Sequence, residues 1–309
     1  MRVAVMGPGG VGGYFGARLA RGGSEVAFIA RGAHLAAIRQ NGLKVESPLG
    51  DLHLADARAT DDPGAVGAVD LVLFGVKLWD TEAAARAMAP LVGAGTAVIS
   101  LQNGVRKDEI LRAVLGERAV MGGACYIAAQ ISAPGVIRHS GTMARIVFGE
   151  YDGKRSPRAE AILDACRRAG IEAELAADIR RAIWEKFVFL ASMSGVTSTI
   201  RMPIGPIRSN AQTRAFLHDA LREAVAVARA EGVQLPAHYA DDRLAFGDSL
   251  PATMTSSMHN DLERGNRLEV EGLSGDVVAR GKAAGVPTPV HRAIYDILVL
   301  RAAGQPREK

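Results

Sequence analysis

Hydrophobic residues in the first half of this chain come in short unbroken runs separated by longer mixed stretches. The runs at residues 2–6, 25–30, 70–76 and 96–101 have the continuous apolar character of strands buried on both faces of a parallel sheet. Between them the spacing turns helical, at residues 14–21, 32–40, 79–89 and 107–115. Pro90 stops the third of these helices and Gly116 the fourth. Shorter strands are expected at 43–46 and 51–55, around the turn Ser47-Pro48-Leu49-Gly50. Residues 119–130, 136–140 and 144–149 read as three antiparallel strands, with Pro134-Gly135 and Ser140-Gly141 as their turns.

The pattern changes near residue 150. A polar stretch at 152–157 leads to a helix at 158–169 and a last strand at 171–175. From Asp178 onward the apolar spacing is helical almost throughout. Asp178 is placed to cap a helix over 179–193, and further helices are expected at 208–231, 236–246, 260–263, 271–284 and 290–302. Gly232, Gly247 and Gly285 punctuate them, and the tail 304–309 is expected to fray. The pattern predicts an α/β protein: an N-terminal Rossmann-type, doubly wound sheet over residues 1–175, then a C-terminal all-helical domain over 176–309.

Strand 2–6 runs into Gly7-Pro8-Gly9-Gly10-Val11-Gly12, which opens a helix. Strand, G-x-G-x-x-G, helix is the arrangement that cradles a dinucleotide pyrophosphate. The first glycine makes the tight turn, the second admits the phosphates, and the third lets helix and strand pack closely. The second strand ends at Arg31, where NAD sites carry a carboxylate for the ribose 2′-hydroxyl. A guanidinium there pairs with a 2′-phosphate, so NADP (as NADPH) is the expected cofactor. The other reading of Arg31 is the solvated start of the next helix. His34 and Arg39 are nearby cations that a helix face explains.

Composition narrows the choices. With 309 residues there is room for two separate cores, and 48% apolar with 23% charged residues fits an ordinary soluble protein. The net charge of +4 is scattered and not interleaved with aromatic residues, so no nucleic-acid surface is expected. Cys125 and Cys166 belong to no ligand cluster and read as buried reduced thiols, and no H-E-x-x-H occurs, so no metal is expected. A strand at the N-terminus and no long uncharged apolar run point to a cytoplasmic protein away from membranes.

Ligands of such sheets bind beyond the carboxyl ends of the strands, which selects Lys77 and Asn103. Lys77 suits a phosphate or carboxylate and Asn103 a nicotinamide or hydroxyl; a solvated strand end and an Asn-Gly turn are the plainer readings. In the helical half, Ile179, Ile183, Lys186 and Leu190 share one helix stripe, with Trp184, Phe187, Val188 and Phe189 also apolar. An ammonium in such surroundings needs a reason, and a proton donor to a ketone oxygen during hydride addition supplies one. A surface pair with Glu185 is the alternative. Ser257 reads as a candidate carboxylate ligand and Glu269 as a partner for Lys186 or a substrate hydroxyl; the plainer reading is that Ser256 caps a helix and the acids are solvated. His259 reads as an accessory or surface histidine.

The glycine motif, Val76-Lys77, Gln102-Asn103-Gly104, Trp184-Glu185-Lys186, Ser256-Ser257-Met258 with Asp261, Glu269 and the stretch 284–289 together resemble the ketopantoate reductase (2-dehydropantoate 2-reductase) family. The resemblance covers nearly the whole chain. It implies NADPH-dependent reduction of a 2-keto acid to a 2-hydroxy acid, ketopantoate to pantoate in pantothenate biosynthesis, with the site between the two domains. By the same resemblance Lys186 is the catalytic proton donor, Asn103 touches cofactor and substrate, Ser257 binds the substrate carboxylate, and Glu269 supports substrate and nicotinamide. Leu190 and Ser194 depart from it, standing where family members often carry substrate-contacting asparagines. A more apolar 2-keto acid therefore stays open as the substrate, as does a non-catalytic NADPH-sensing role. A homodimer is compatible with either.

Overall fold

Arg2–Met6 forms β1, and every residue of it after Arg2 is buried. Around it the computed structural model, which describes residues 1–305, builds one ten-stranded sheet. The other strands are β2 (Glu25–Ile29), β3 (Leu43–Glu46), β4 (Leu52–Leu54), β5 (Arg58–Thr60), β6 (Leu71–Phe74), β7 (Ala97–Ser100), β8 (Val120–Ala133), β9 (Val136–Gly149) and β10 (Glu172–Leu175). Their order is β4-β3-β9-β8-β7-β6-β1-β2-β5, with β10 paired to β9. From β5 to β8 all neighbours are parallel. Strand β2 lies on one side of β1 and β6 on the other, so the winding reverses at β1. That reversal is where such sheets bind ligands.

Side chains alternate between two cores. Val3, Val5, Phe28, Leu71, Leu73 and Ile99 belong to one. Ala4, Met6, Ala27, Ile29, Val72, Phe74 and Val98 belong to the other. This period of two, with apolar residues on both faces, makes the strands read as unbroken hydrophobic runs. Helices α1 (Gly10–Arg21) and α2 (Gly32–Asn41) cover the first face, α3 (Thr81–Ala87) and α4 (Lys107–Leu115) the second, and α5 (Pro157–Arg168) returns to the first. Ser156 caps α5 by accepting from the Ala159 amide at 3.2 Å. Cys125 and Cys166 are buried and free, and burial pushes the Cys166 thiol up to about 12.

Three local expectations are corrected. The expected turn at Ser140-Gly141 is absorbed into β9, which is one 14-residue strand paired to β8. The register steps from Ala128↔Ser140 to Ile127↔Ala144, and Gly141, at φ 75°, sits in the resulting bulge. Helix α1 begins at Gly10 and not at residue 14, because its glycines are there for packing and not as a loop. Strand β5, Arg-Ala-Thr, carries no apolar alternation and was not expected.

The described chain divides into two units: residues 1–102 with 107–182, and residues 103–106 with those from 183 onward. The second unit is helical. Helix α6 (Ile179–Ile200) is capped as expected, Asp178 Oδ1 accepting from the Arg181 amide at 2.9 Å, but runs well past residue 193. Next come α7 (Ile204–Ser209), α8 (Ala211–Ala230), α9 (Tyr239–Ser249), α10 (Ser257–Glu263), a π-helical turn at Glu271–Gly275, α11 (Asp276–Ala284) and α12 (Pro289–Leu298). The single helix expected at 208–231 is broken because Asn210 caps α8, accepting from the Gln212 and Thr213 amides. Of the tail expected to fray, Gln305 is tied to the Gly265 carbonyl at 2.9 Å; residues 306–309 lie outside the described residues.

His291 on α12 is fully buried, its ring nitrogens 3.2 Å from Ser274 Oγ and 3.0 Å from the Ala220 carbonyl. Burial pushes its pKa down to about 4. The unfolded chain binds this proton near pH 6.5 and the folded one does not, so stability is lost as pH falls from about 6.5 toward 4. Urea midpoints of the native protein and His291→Gln, compared at neutral pH and near pH 4.5, should show about 2–3 kcal/mol less acid sensitivity in the variant. An identical pH dependence would show that His291 is not held neutral.

Candidate active site

At the end of β1 the chain turns through Gly7, whose φ of 84° only glycine adopts without strain. The Gly7 amide donates to the Ile29 carbonyl at 3.1 Å, the Gly9 amide to the Gly7 carbonyl at 2.8 Å, and the Gly13 amide to the Gly9 carbonyl at 2.7 Å. The last bond closes the first turn of α1. A Cβ on Gly12 would lie 2.5 Å from the Gly7 oxygen and 3.0 Å from Val5 Cγ1, so strand and helix touch there. A Cβ on Gly9 would meet nothing within 4 Å. The protein's own packing therefore requires Gly12 but not Gly9. Gly9 borders open space at the mouth of a helix whose first amides point outward, as a pyrophosphate cradle requires.

Arg31 follows β2 as the N-cap residue of α2 and is exposed. Lys77 follows β6, exposed, with its Nζ 5.6 Å from the Trp79 ring centroid. Just past the end of β7, beside β6, the buried Gln102 acts as a tie. Its Nε2 donates to the Val76 carbonyl at 2.9 Å and to Thr81 Oγ1 at 2.8 Å, while its Oε1 accepts from Ser100 Oγ at 3.0 Å. Beyond it, Lys107 Nζ is buried against Asp108 and the Gly123 carbonyl, both at 2.9 Å, and Tyr151 donates to Asp108 Oδ2 at 2.8 Å. Desolvation and the Asp108 charge raise the Tyr151 hydroxyl well above its usual range. Every charge in this cluster has its partner, and it anchors the chain at the start of α4.

Of the cations near Arg31, Arg39 behaves as a surface residue, paired with Asp61 at 3.2 Å. His34 does not. It is half-buried and bonds the Pro8 carbonyl inside the glycine loop.

In the helical unit Lys186 is half-buried, and its Nζ donates to Asn103 Oδ1 at 2.9 Å. An ammonium can only donate, so the amide oxygen of Asn103 must face it. The neighbouring Ile183, Trp184, Phe187 and Val188 are buried, as the apolar stripe predicts. Trp184 packs edge-on to Phe187 at 5.4 Å and lies under the Arg280 guanidinium at 5.9 Å. Tyr239 donates to the Glu185 carbonyl at 3.2 Å. Along the same stripe come Leu190, half-buried, then Ser194 and Ser198. Both serine hydroxyls are buried with no hydrogen-bond partner among the described residues.

Ser256 caps α10, accepting from the His259 amide at 3.0 Å, and Ser257 is the exposed first residue of that helix. His259 is buried and not at the surface, its Nδ1 2.9 Å from the Thr197 carbonyl. Asp261 accepts from Asn266 Nδ2 at 3.0 Å, closing the turn that leads to Glu269, half-buried between the buried Leu268 and Val270. Lys186 and Asn103, 83 residues apart, are thus brought together. His34 and Gln102 gained their contacts from the fold, and no spacing in the sequence signals them. Among the described residues there is no group of three or more metal-ligating side chains, and no helix is long and apolar enough to cross a membrane.

The family model described as "Ketopantoate reductase PanE/ApbA" matches residues 3–153, and its C-terminal counterpart matches residues 178–302. A 2-dehydropantoate 2-reductase of Halobacterium salinarum is 33% identical over 97% of this chain and 98% of its own length. One from Archaeoglobus fulgidus is 34% identical over 96% of each chain. Among solved structures, a PanE/ApbA family ketopantoate reductase from Ralstonia eutropha superposes with a TM-score of 0.89 at 35% identity, covering 98% of both chains.

The glycine geometry makes a stability prediction. Gly12→Ala should lower the thermal midpoint, with about 1–3 kcal/mol of overpacking, whereas Gly9→Ala should leave it within a degree or two of the native protein. Equal losses in the two variants would contradict the open space assigned to Gly9.

Proposed function

The chain belongs to the ketopantoate reductase family and is an oxidoreductase, and on that premise we propose that it reduces a 2-keto acid to the 2-hydroxy acid with NADPH. The observation that carries this reading is the bond between Lys186 and Asn103. A nicotinamide cofactor supplies the hydride; what the protein must add is a proton, placed where the ketone oxygen gains charge. Lys186 is the group for that task. Its ammonium is oriented by Asn103 Oδ1 and stands on a helix otherwise packed with apolar residues. Asn103 keeps its amide N–H groups for cofactor or substrate. Ser257, exposed at the start of α10, takes the substrate carboxylate, and Glu269 supports substrate and nicotinamide.

The first domain, residues 1–175, holds the cofactor and the second, residues 176–309, carries the acid and the substrate contacts. Gly7, Pro8, Gly9, Gly10, Val11 and Gly12 form the pyrophosphate cradle, with the open face at Gly9 as its support. Arg31 at the helix cap pairs with the 2′-phosphate, and Lys77 adds positive charge past β6, on the other side of β1. 2-Dehydropantoate is the first substrate this reading names, since the Halobacterium and Archaeoglobus relatives bear that activity in their names. Leu190, one turn beyond Lys186, favours a second reading within the same chemistry. It cannot bond a distal hydroxyl, so a 2-keto acid with an apolar tail fits that turn better.

Two measurements test these assignments. NADPH consumption should be observed with 2-dehydropantoate or with 2-keto acids lacking its hydroxyl, and the better of the two groups identifies the substrate class. Tight NADPH binding with no consumption on any member of the panel would replace catalysis with a sensing role. Separately, Arg31→Asp should weaken NADPH binding by about 10–100-fold and NADH binding far less. A loss of the same size for both nucleotides would remove Arg31 from the 2′-phosphate.

A further inference from the structure

We propose that His34 is a positioning residue for the dinucleotide, fixing the peptide between Pro8 and Gly9 so that its carbonyl stays clear of the pyrophosphate. This rests on the reading of residues 7–12 as the cofactor cradle. The Gly135 amide donates to His34 Nδ1 at 3.0 Å, which requires a lone pair on that nitrogen. The ring hydrogen is therefore on Nε2, which lies 2.9 Å from the Pro8 oxygen and donates to it. Both nitrogens of a neutral imidazole are in use. Burial keeps the ring in that form by lowering its pKa, against the opposing pull of the Pro8 bond.

The peptide it grips is gripped at its other end too. The Gly9 amide donates to the Gly7 oxygen at 2.8 Å, so the plane of the Pro8–Gly9 peptide is set on both edges. A loop that binds an anion through backbone dipoles works only if its amides, and not its carbonyls, face the charge. Without the Nε2 donor only the Gly9 N–H holds this peptide, and its oxygen is no longer kept from turning toward the phosphates.

The second anchor, Gly135, lies in the turn of the β8–β9 hairpin, which is pressed onto the start of α1. A Cβ on Gly10 would come within 2.1 Å of the Ala129 oxygen, and one on Gly13 within 2.8 Å of Ile137 Cγ1. Gly135 also packs on α2, where a Cβ would meet that of Ala37 at 3.2 Å. His34 thus connects the hairpin turn to the glycine loop from the helix whose cap residue is Arg31.

Two isosteres separate the two bonds. His34→Gln places a carboxamide nitrogen near the Nε2 position and keeps the donor to Pro8. His34→Asn places an oxygen near the Nδ1 position and keeps only the acceptor for Gly135. NADPH binding is measured directly, by calorimetry on the purified full chain, with thermal midpoints recorded alongside. His34→Ala and His34→Asn should weaken NADPH binding by about tenfold or more, while His34→Gln stays within about threefold of the native protein. Equal weakening in the Asn and Gln variants would reduce His34 to a packing residue and overturn the proposal, as would native affinity in His34→Ala. Failure of the native protein to bind NADPH would instead sink the cofactor reading on which the proposal stands.

Discussion

An ammonium group drawn partly out of water has to be met by an oxygen, and here the oxygen is the side-chain amide of Asn103, 2.9 Å from Lys186 Nζ. The constraint is severe because Ile183, Trp184, Phe187 and Val188, beside it on the helix, are buried. The amide oxygen orients the ammonium through this bond. The bond fixes the direction of the ammonium, as the proton-donating role proposed for Lys186 requires.

Lys186 meets a partner 83 residues away in sequence. Asn103 sits in a four-residue segment that groups with the helical unit although the sheet-bearing unit flanks it on both sides. Gln102, which precedes the segment in the chain, bonds Val76 and Thr81, and Lys107, which follows it, is buried against Asp108. Fully paired buried charges add little net stability, but removing one partner is costly, so such a pair tolerates few alternative conformations. The glycine loop follows a similar principle. Gly12 is consumed by helix–strand contact and Gly7 by the turn, while Gly9 borders open space.

Much of this was legible in the residues. The parallel strands announced themselves as unbroken apolar runs because both faces of the sheet are covered, and the Asp178 cap was readable because it acts within three residues. Family membership was legible from the lysine helix and the Ser-Ser-Met segment, and the matching family models agree. What escaped was decided at long range or by competition. Strand β5 is ordered by pairing with β2 and not by its own pattern. The break before α8 reflects Asn210 preferring to cap a helix over continuing one. His34 looked like a surface cation because its partners, Pro8 and Gly135, lie 26 and 101 residues away.

We propose Lys186 as the acid of the reaction and not as a structural lysine. Replacing it with alanine and measuring both NADPH affinity and turnover at saturating substrate separates the two. With Lys186 as the acid, turnover should fall by about 10²–10⁴-fold with NADPH affinity and thermal midpoint essentially unchanged. Turnover equal to that of the native protein would contradict it.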